Sequence, residues 1–190
     1  GNGTKVDSAT PVQTLGITNA EGVVAGYSHT CAWKGDGTVW CWGYNSQGGI
    51  GLATTSSVAV PSQITGVSGV VGMASGSEHI CAWTGDGLAW CWGHNQWGQL
   101  GDGGTNNQNF PTQVIGLVGV KMLAAGEVHS CAVCDQGELW CWGSGAMGAI
   151  GFFDPAPHSL AAKVAGLPEV LVVAASGLHT CVLLSDASVW

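Results

Sequence analysis

The sequence predicts an all-β protein made of consecutive β-propeller blades, each of four antiparallel strands. Three observations predict it. A set of residues recurs every fifty positions along the chain, each period holds four short strand-forming segments and no room for a long helix, and those segments are apolar on both sides, as in LAWCW. Repeated four-stranded units of about fifty residues are what a propeller requires, because each small twisted sheet buries both faces against its neighbours. A β-solenoid is the competing architecture, but its rungs are usually shorter than this period.

The period is strict. His29, His79, His129 and His179 share one phase, Cys31, Cys81, Cys131 and Cys181 a second, and Trp40, Trp90, Trp140 and Trp190 a third. Pro11, Pro61 and Pro111 fall in step, as do Gly1, Gly51, Gly101 and Gly151. The chain therefore divides into repeats 1–50, 51–100, 101–150 and an incomplete 151–190, about four blades in one repeat domain. In the second period the strands are expected at Ser62–Val67, Val70–Ser75, His79–Thr84 and Leu88–Gly93, and the GDG turn at 85–87 closes the last two into a hairpin.

That hairpin explains the cysteines. With the first turn at Gly35, Asp36 and Gly37, facing residues have numbers that sum to 72, so Cys31 opposes Cys41; the same arithmetic pairs Cys81 with Cys91 and Cys131 with Cys141. Directly opposed residues lie about 4.5–5.5 Å apart at Cα, close enough for a disulfide. Trp40 and Trp42 alternate with Cys41 and take the other face, towards a neighbouring blade. Cys134 and Cys181 are left unpaired: the partner phase of Cys134 is Glu138, and that of Cys181 would be residue 191. Cys134 is expected to be reactive, with Cys181 as a second candidate. A zinc reading of His129, Cys131 and Cys134 lacks the four converging ligands a structural site needs, so no metal is expected. The four repeated histidines read instead as hydrogen-bonded supports of a blade corner.

Composition narrows the partners. Among 190 residues there are four Lys, no Arg and twelve acidic residues, for a net charge of −8. Such a chain offers no basic footprint for nucleic acid or anionic membranes, and no apolar run is long enough to span a bilayer. Cysteines paired in this way point to an oxidising compartment, extracellular, cell-surface or periplasmic. The opening GNGTKVDSAT has no signal-peptide pattern, so a secreted chain would already have shed its signal. Asn2-Gly3-Thr4 fits an N-glycosylation acceptor.

The pattern G-x-x-H-x-C-A-x-x-x-D-G-x-x-W-C-W-G-x-N-x-x-G-x-x-G, running over Gly26 to Gly51 and again over Gly76 to Gly101, resembles the repeats of the regulator of chromosome condensation family. It looks like the extracellular, cysteine-containing bacterial branch. The resemblance implies a seven-bladed ring, of which this chain spans slightly more than half, and roles that range from nucleotide exchange and chromatin binding to β-lactamase inhibition and protein docking. The chain lacks the basic surface that the exchange and chromatin roles would use. It departs from the pattern at GSGAMGAIG, Gly143–Gly151, which lacks the Asn, and at Ser176, where the other repeats have Gly26, Gly76 and Gly126.

No catalytic constellation stands out and no cofactor is implied. Gly143, Gly145 and Gly148 match a dinucleotide fingerprint by chance, since no helix follows them, and there is no nucleophile elbow. Variation between repeats instead marks a loop rim. Phases 44–47 read YNSQ, HNQW and SGAM, and the first ten positions of each repeat differ widely. Blade topology puts these loops on the same rim as Tyr27, Glu78 and Glu127. The rim candidates are Tyr44, Glu78, His94, Trp97, Phe110, Glu127, Phe152 and Phe153, either displayed for a partner or folded down as caps. GTNNQN, Gly104–Asn109, either contacts sugars or is merely solvated. The expected function is a secreted, non-catalytic scaffold that docks a protein or glycan on this rim. The alternative is a structural subunit that self-associates through open blade edges.

Overall fold

A computed structural model describes residues 1–152 and 154–190. Its strands fall into four sheets in chain order. Blade 1 comprises β1 (Ala20–Ala25), β2 (His29–Lys34), β3 (Val39–Gly43) and β4 (Val58–Gln63). Blade 2 comprises β5 (Val70–Ser75), β6 (His79–Thr84), β7 (Ala89–Gly93) and β8 (Gln108–Gln113). Blade 3 comprises β9 (Val120–Ala125), β10 (His129–Cys134), β11 (Leu139–Gly145) and β12 (Asp154–Lys163). Blade 4 contributes β13 (Val170–Ser176) and β14 (His179–Leu184), with Leu183 bridged to Val189. Every pairing is antiparallel, and the innermost strands β1, β5, β9 and β13 stand side by side.

One strand moves relative to the sequence reading. The segment expected at Ser62–Val67 is β4, Val58–Gln63, and it is the outer edge of blade 1, with Trp40 opposite Gln63 and Gly43 opposite Val58. Pro61 has no N–H to give, which an edge strand tolerates. Residues 64–69 then cross from that edge to the innermost strand of the next blade. Each complete sheet thus takes three strands from one period and its fourth from the next.

The blades pack through unlike faces. Cys31, Val39 and Cys41 of blade 1 pack on Ile80, Ala82 and Trp92 of blade 2; Cys81, Ala89 and Cys91 of blade 2 pack on Ala132 and Trp142 of blade 3; Cys131, Leu139 and Cys141 of blade 3 pack on Val182 and Leu184 of blade 4. Trp92 and Trp142 are fully buried, and their indole N–H groups donate to the carbonyls of Gly49 (3.0 Å) and Gln99 (2.8 Å) in the preceding blade. Burying an aromatic of this size without stranding its N–H makes it an efficient junction residue. Within a blade, volume is traded between paired positions. A Cβ on Gly72 would lie 2.2 Å from the Trp83 ring, whereas blade 3 sets Met122 opposite the smaller Val133.

All three hairpin bridges are present, Cys31–Cys41, Cys81–Cys91 and Cys131–Cys141, each with Cα atoms 4.1 Å apart. Cys134 and Cys181 are free. The expectation that Cys134 reacts is corrected here. Cys134 is buried in the junction with blade 2, where burial, then Glu138 and Asp135, push its pKa up to about 11; Cys181 is exposed.

Candidate binding rim

Two kinds of connection leave the sheets at the same end: the short turns at 26–28, 76–78 and 126–128, and the long loops after β3, β7 and β11. Backbone bonds tie them together, from Tyr44 N–H to the Ser28 carbonyl (2.7 Å), His94 N–H to Glu78 (2.9 Å) and Ser144 N–H to Val128 (2.9 Å). The hairpin turns at 35–38, 85–88 and 135–138 lie at the opposite end.

The long loops are held from inside by asparagine. Buried Asn95 donates its amide hydrogens to Asp102 Oδ1 (3.0 Å) and the carbonyls of Asn106 (2.9 Å) and Gly104 (3.3 Å), while its Oδ1 accepts from Leu100 N–H (3.0 Å). Asn45 does the same for Thr54, Ser56 and Ile50. In the third repeat Gly145 replaces the asparagine. There the ladder itself runs on to pair Gly145 with Asp154, and a Cβ on Gly145 would lie 2.5 Å from the Asp154 carbonyl. Loops are also stitched to the next blade, through Ala53 N–H to Asn109 O (2.6 Å), Gly103 N–H to Ser159 O (2.9 Å) and Asn107 Nδ2 to Gln47 Oε1 (2.6 Å).

A histidine relay supports the short turns. His79 Nε2 lies 2.9 Å from Ser130 Oγ, and Ser130 donates to the Gln99 carbonyl at 2.9 Å, so the serine accepts from an Nε2–H imidazole. His129, Thr180 and the Ala149 carbonyl repeat this at 2.8 and 2.7 Å. Blade 2 has Ile80 at the hydroxyl position, and His29 instead reaches Ser75 Oγ at 3.4 Å. Each ring lies over the glycine that opens its own turn: a Cβ on Gly26, Gly76 or Gly126 would come within 2.3, 2.2 or 2.1 Å of it. Where Ser176 replaces that glycine, β13 runs on to pair Ser176 with His179, and His179 is exposed. Burial lowers the pKa of His29 and His129 to about 4 and that of His79 to about 3, so the rings are neutral at ordinary pH. Among the described residues no group of three His, Cys, Asp or Glu side chains converges to hold a metal ion.

The predicted rim residues divide. Tyr27 (84% exposed) and Tyr44 (54%) project from the rim, Glu127 is exposed, and Glu78 is half-buried. His94 and Trp97 are half-buried, held by Gln99, whose Nε2 donates to His94 Nδ1 and whose Oε1 accepts from Trp97 N–H. Phe152 folds down, edge-on to His158 with ring centroids 4.9 Å apart. Phe110, expected on the rim, sits in the outer strand β8, because the strand begins at Gln108 rather than beyond Phe110. Phe153 lies outside the described residues. In GTNNQN the polar groups are largely spent on the loop itself: Asn107 Oδ1 accepts from Asn95 N–H and Gln108 Nε2 donates to Asp102. Asn2 Oδ1 accepts from the N–H and hydroxyl of Thr4. Tyr27, the most exposed rim aromatic, was visible only through blade topology, since its phase carries no repeated residue type.

Residues 36–83 and 86–133 match the regulator of chromosome condensation (RCC1) repeat, and residues 21–48 and 120–149 match a second model of the same repeat. No curated protein matches the chain. Among solved structures it is similar to Prp20p from Saccharomyces cerevisiae, described with its binding to Gsp1p and histones (TM-score 0.79, 21% identity, 87% of this chain and 43% of that one). It is also similar to yeast RCC1 (Prp20) with Kap60 bound (0.73, 25%, 86% and 39%). The ectodomain of the Physcomitrella patens receptor kinase CR4 is more distant (0.58, 20%, 90% and 40%). The chain spans about two fifths of the length of these proteins.

Proposed function

Because the chain belongs to the regulator of chromosome condensation repeat family, we propose that it is a secreted or cell-surface, non-catalytic scaffold that docks a partner protein on the rim of Tyr27, Tyr44, Glu78 and Glu127. The observation that carries this reading is the contrast on that rim. Exposed Tyr44 opens a loop that buried Asn45 holds fast, and Tyr27, Glu78 and Glu127 stand on short turns tied down by backbone hydrogen bonds to neighbouring turns and loops. Rigid loops pay little entropy on binding, and exposed tyrosines supply large contact area on few rotatable bonds. The internal use of the Asn107 and Gln108 amides favours a protein over a glycan as the partner. The disulfides support an oxidising compartment, and the lack of Arg and scarcity of Lys argue against nucleic acid. A photo-reactive residue placed at Tyr27 or Tyr44 is expected to cross-link a partner from the extracellular fraction, while one at Asp36 or Asp86 is not. Equal capture from both ends, or capture only from the hairpin end, would overturn the reading.

A second reading, self-association, is favoured by a different observation. Thr30 and Trp42 on the open face of blade 1 and His179 and Cys181 on that of blade 4 are exposed or half-buried, although their counterparts are buried inside the junctions between blades. These are the two halves of one type of junction. A second copy can therefore dock head to tail, and a mass that rises with concentration in sedimentation would support it; a concentration-independent monomer would exclude it.

A further inference from the structure

Tyr27 stands between two depressions on the rim. On one side it joins Tyr44, His29, Glu78, Ser28 and Ser77 around a narrow cleft between blades 1 and 2, which admits a group about the size of a water molecule. On the other it faces Glu127 across a wider mouth formed by small residues of all four blades.

The cleft carries a carboxylate and an imidazole lone pair but no cationic side chain. Ser75 Oγ donates to the Gly76 carbonyl at 3.1 Å, so it accepts the Nε2–H of His29, and the imidazole keeps a lone pair on Nδ1. His29 is only 5% exposed, and its Nδ1 has no hydrogen-bond partner among the described residues. His79 and His129 also leave Nδ1 without a partner, but their Nε2 atoms are held by Ser130 and Thr180, whereas Ile80 offers His29 no hydroxyl, so its Nε2 turns to Ser75 and its ring lines the cleft. Glu78 makes no ion pair among the described residues. Gln47, also on the wall, already accepts from Asn107 through its Oε1. No Lys lines the cleft. Lys121 and Lys163 are paired with Asp135 and Glu138, Lys34 lies over the Trp40 ring, and Lys5 lines a separate groove beyond Tyr44.

A carboxylate, a neutral imidazole lone pair and two tyrosine rings around a water-sized space call for a compact cation rich in N–H donors. An ammonium group has those properties, whereas a guanidinium is planar and wider, and aromatic rings attract cations at their faces. We infer that the cleft receives a lysine side chain of the docked protein, with Glu78 and His29 Nδ1 as its acceptors and Tyr27 and Tyr44 flanking its stem. This rests on the rim-docking reading and adds the chemistry of the anchor.

The probe is a Gly-Lys-Gly peptide blocked at both ends, titrated into the whole chain and followed by amide chemical shifts. Saturable shifts at Ser28, Ser77 and Glu78 are expected. Glu78→Gln should weaken binding about tenfold, as for loss of one charge-assisted contact, and peptides carrying acetyl-lysine or arginine should bind at least as weakly as that. Absence of shifts at these amides, or equal shifts from the acetyl-lysine peptide, would overturn the assignment. If that happens while cross-links still form from Tyr27, only the lysine anchor falls. If the cross-links fail as well, the docking rim falls with it.

Discussion

At the scale of single residues, the phase-29 histidines couple the fold to pH. His29, His79 and His129 are held neutral by burial, with pKa values of about 4, 3 and 4, whereas in the unfolded chain each titrates near 6.5. Between these limits the unfolded state binds more protons, so stability is full above about pH 6.5 and falls as pH drops towards 4, by up to about tenfold in the folding equilibrium per pH unit per histidine. Asp36, Asp86 and Asp186, whose pKa values are lowered first by hydrogen bonds from Thr38, Thr84 and Ser188, add their losses only below the ordinary carboxylate range. Urea unfolding at pH 7, 6 and 5 checks this, and a flat stability across that range would contradict buried neutral rings. The glycines beneath the rings make a second test. Gly76→Ala places a methyl group within 2.2 Å of His79 and 2.4 Å of the Gly126 carbonyl, and should cost about 1–3 kcal/mol as overpacking. Gly85→Ala, whose nearest atom is 3.7 Å away on Val71, should cost less in the same assay. The sequence announced that histidine and glycine recur together, but that one sits on the other becomes apparent only once the turn is closed. In blade 4, where Ser176 takes the place of the glycine, His179 lies on the open face of the blade and is exposed.

At the scale of the hairpin, pairing of the cysteines followed from turn length alone, because a strand period of two leaves no choice of register once GDG is fixed. Each bridge closes a ten-residue separation, so Cys81→Ala combined with Cys91→Ala should destabilise by about 2–3 kcal/mol on the chain-entropy model, measured by denaturant unfolding. Thiol labelling of the native, oxidised chain should modify Cys181 and spare Cys134. Fast labelling at Cys134 would show that the junction of blades 2 and 3 opens, and labelling at Cys31 or Cys91 would break the bridge assignment. The buried state of Cys134 was not legible from its position beside a turn, since that position is occupied in turn by Lys34, Thr84, Cys134 and Leu184. The outer strand was misplaced for a related reason. Val58–Gln63 and Ser62–Val67 have similar strand character, and only the hydrogen bonds to β3 decide between them.

At the scale of the whole molecule, the fifty-residue period made the blades legible, and antiparallel order then placed every variable loop at one end. What the period left open was which rim side chains point outward. Phe152, Trp97 and Tyr44 are alike in pattern, but Phe152 packs on His158 and Trp97 is held beside Gln99, while Tyr44 stays exposed. Such differences arise from contacts between blades that no single repeat contains. The account's central claim is that the loop end, and not the hairpin end, meets a partner. Oxidative footprinting of the chain, free and bound to the protein captured at its rim, tests that claim most directly. It should show Tyr27 and Tyr44 protected on binding, with Trp33 and Trp40 near the hairpin turns unchanged. Protection of Trp33 and Trp40 with Tyr27 still reactive would contradict it.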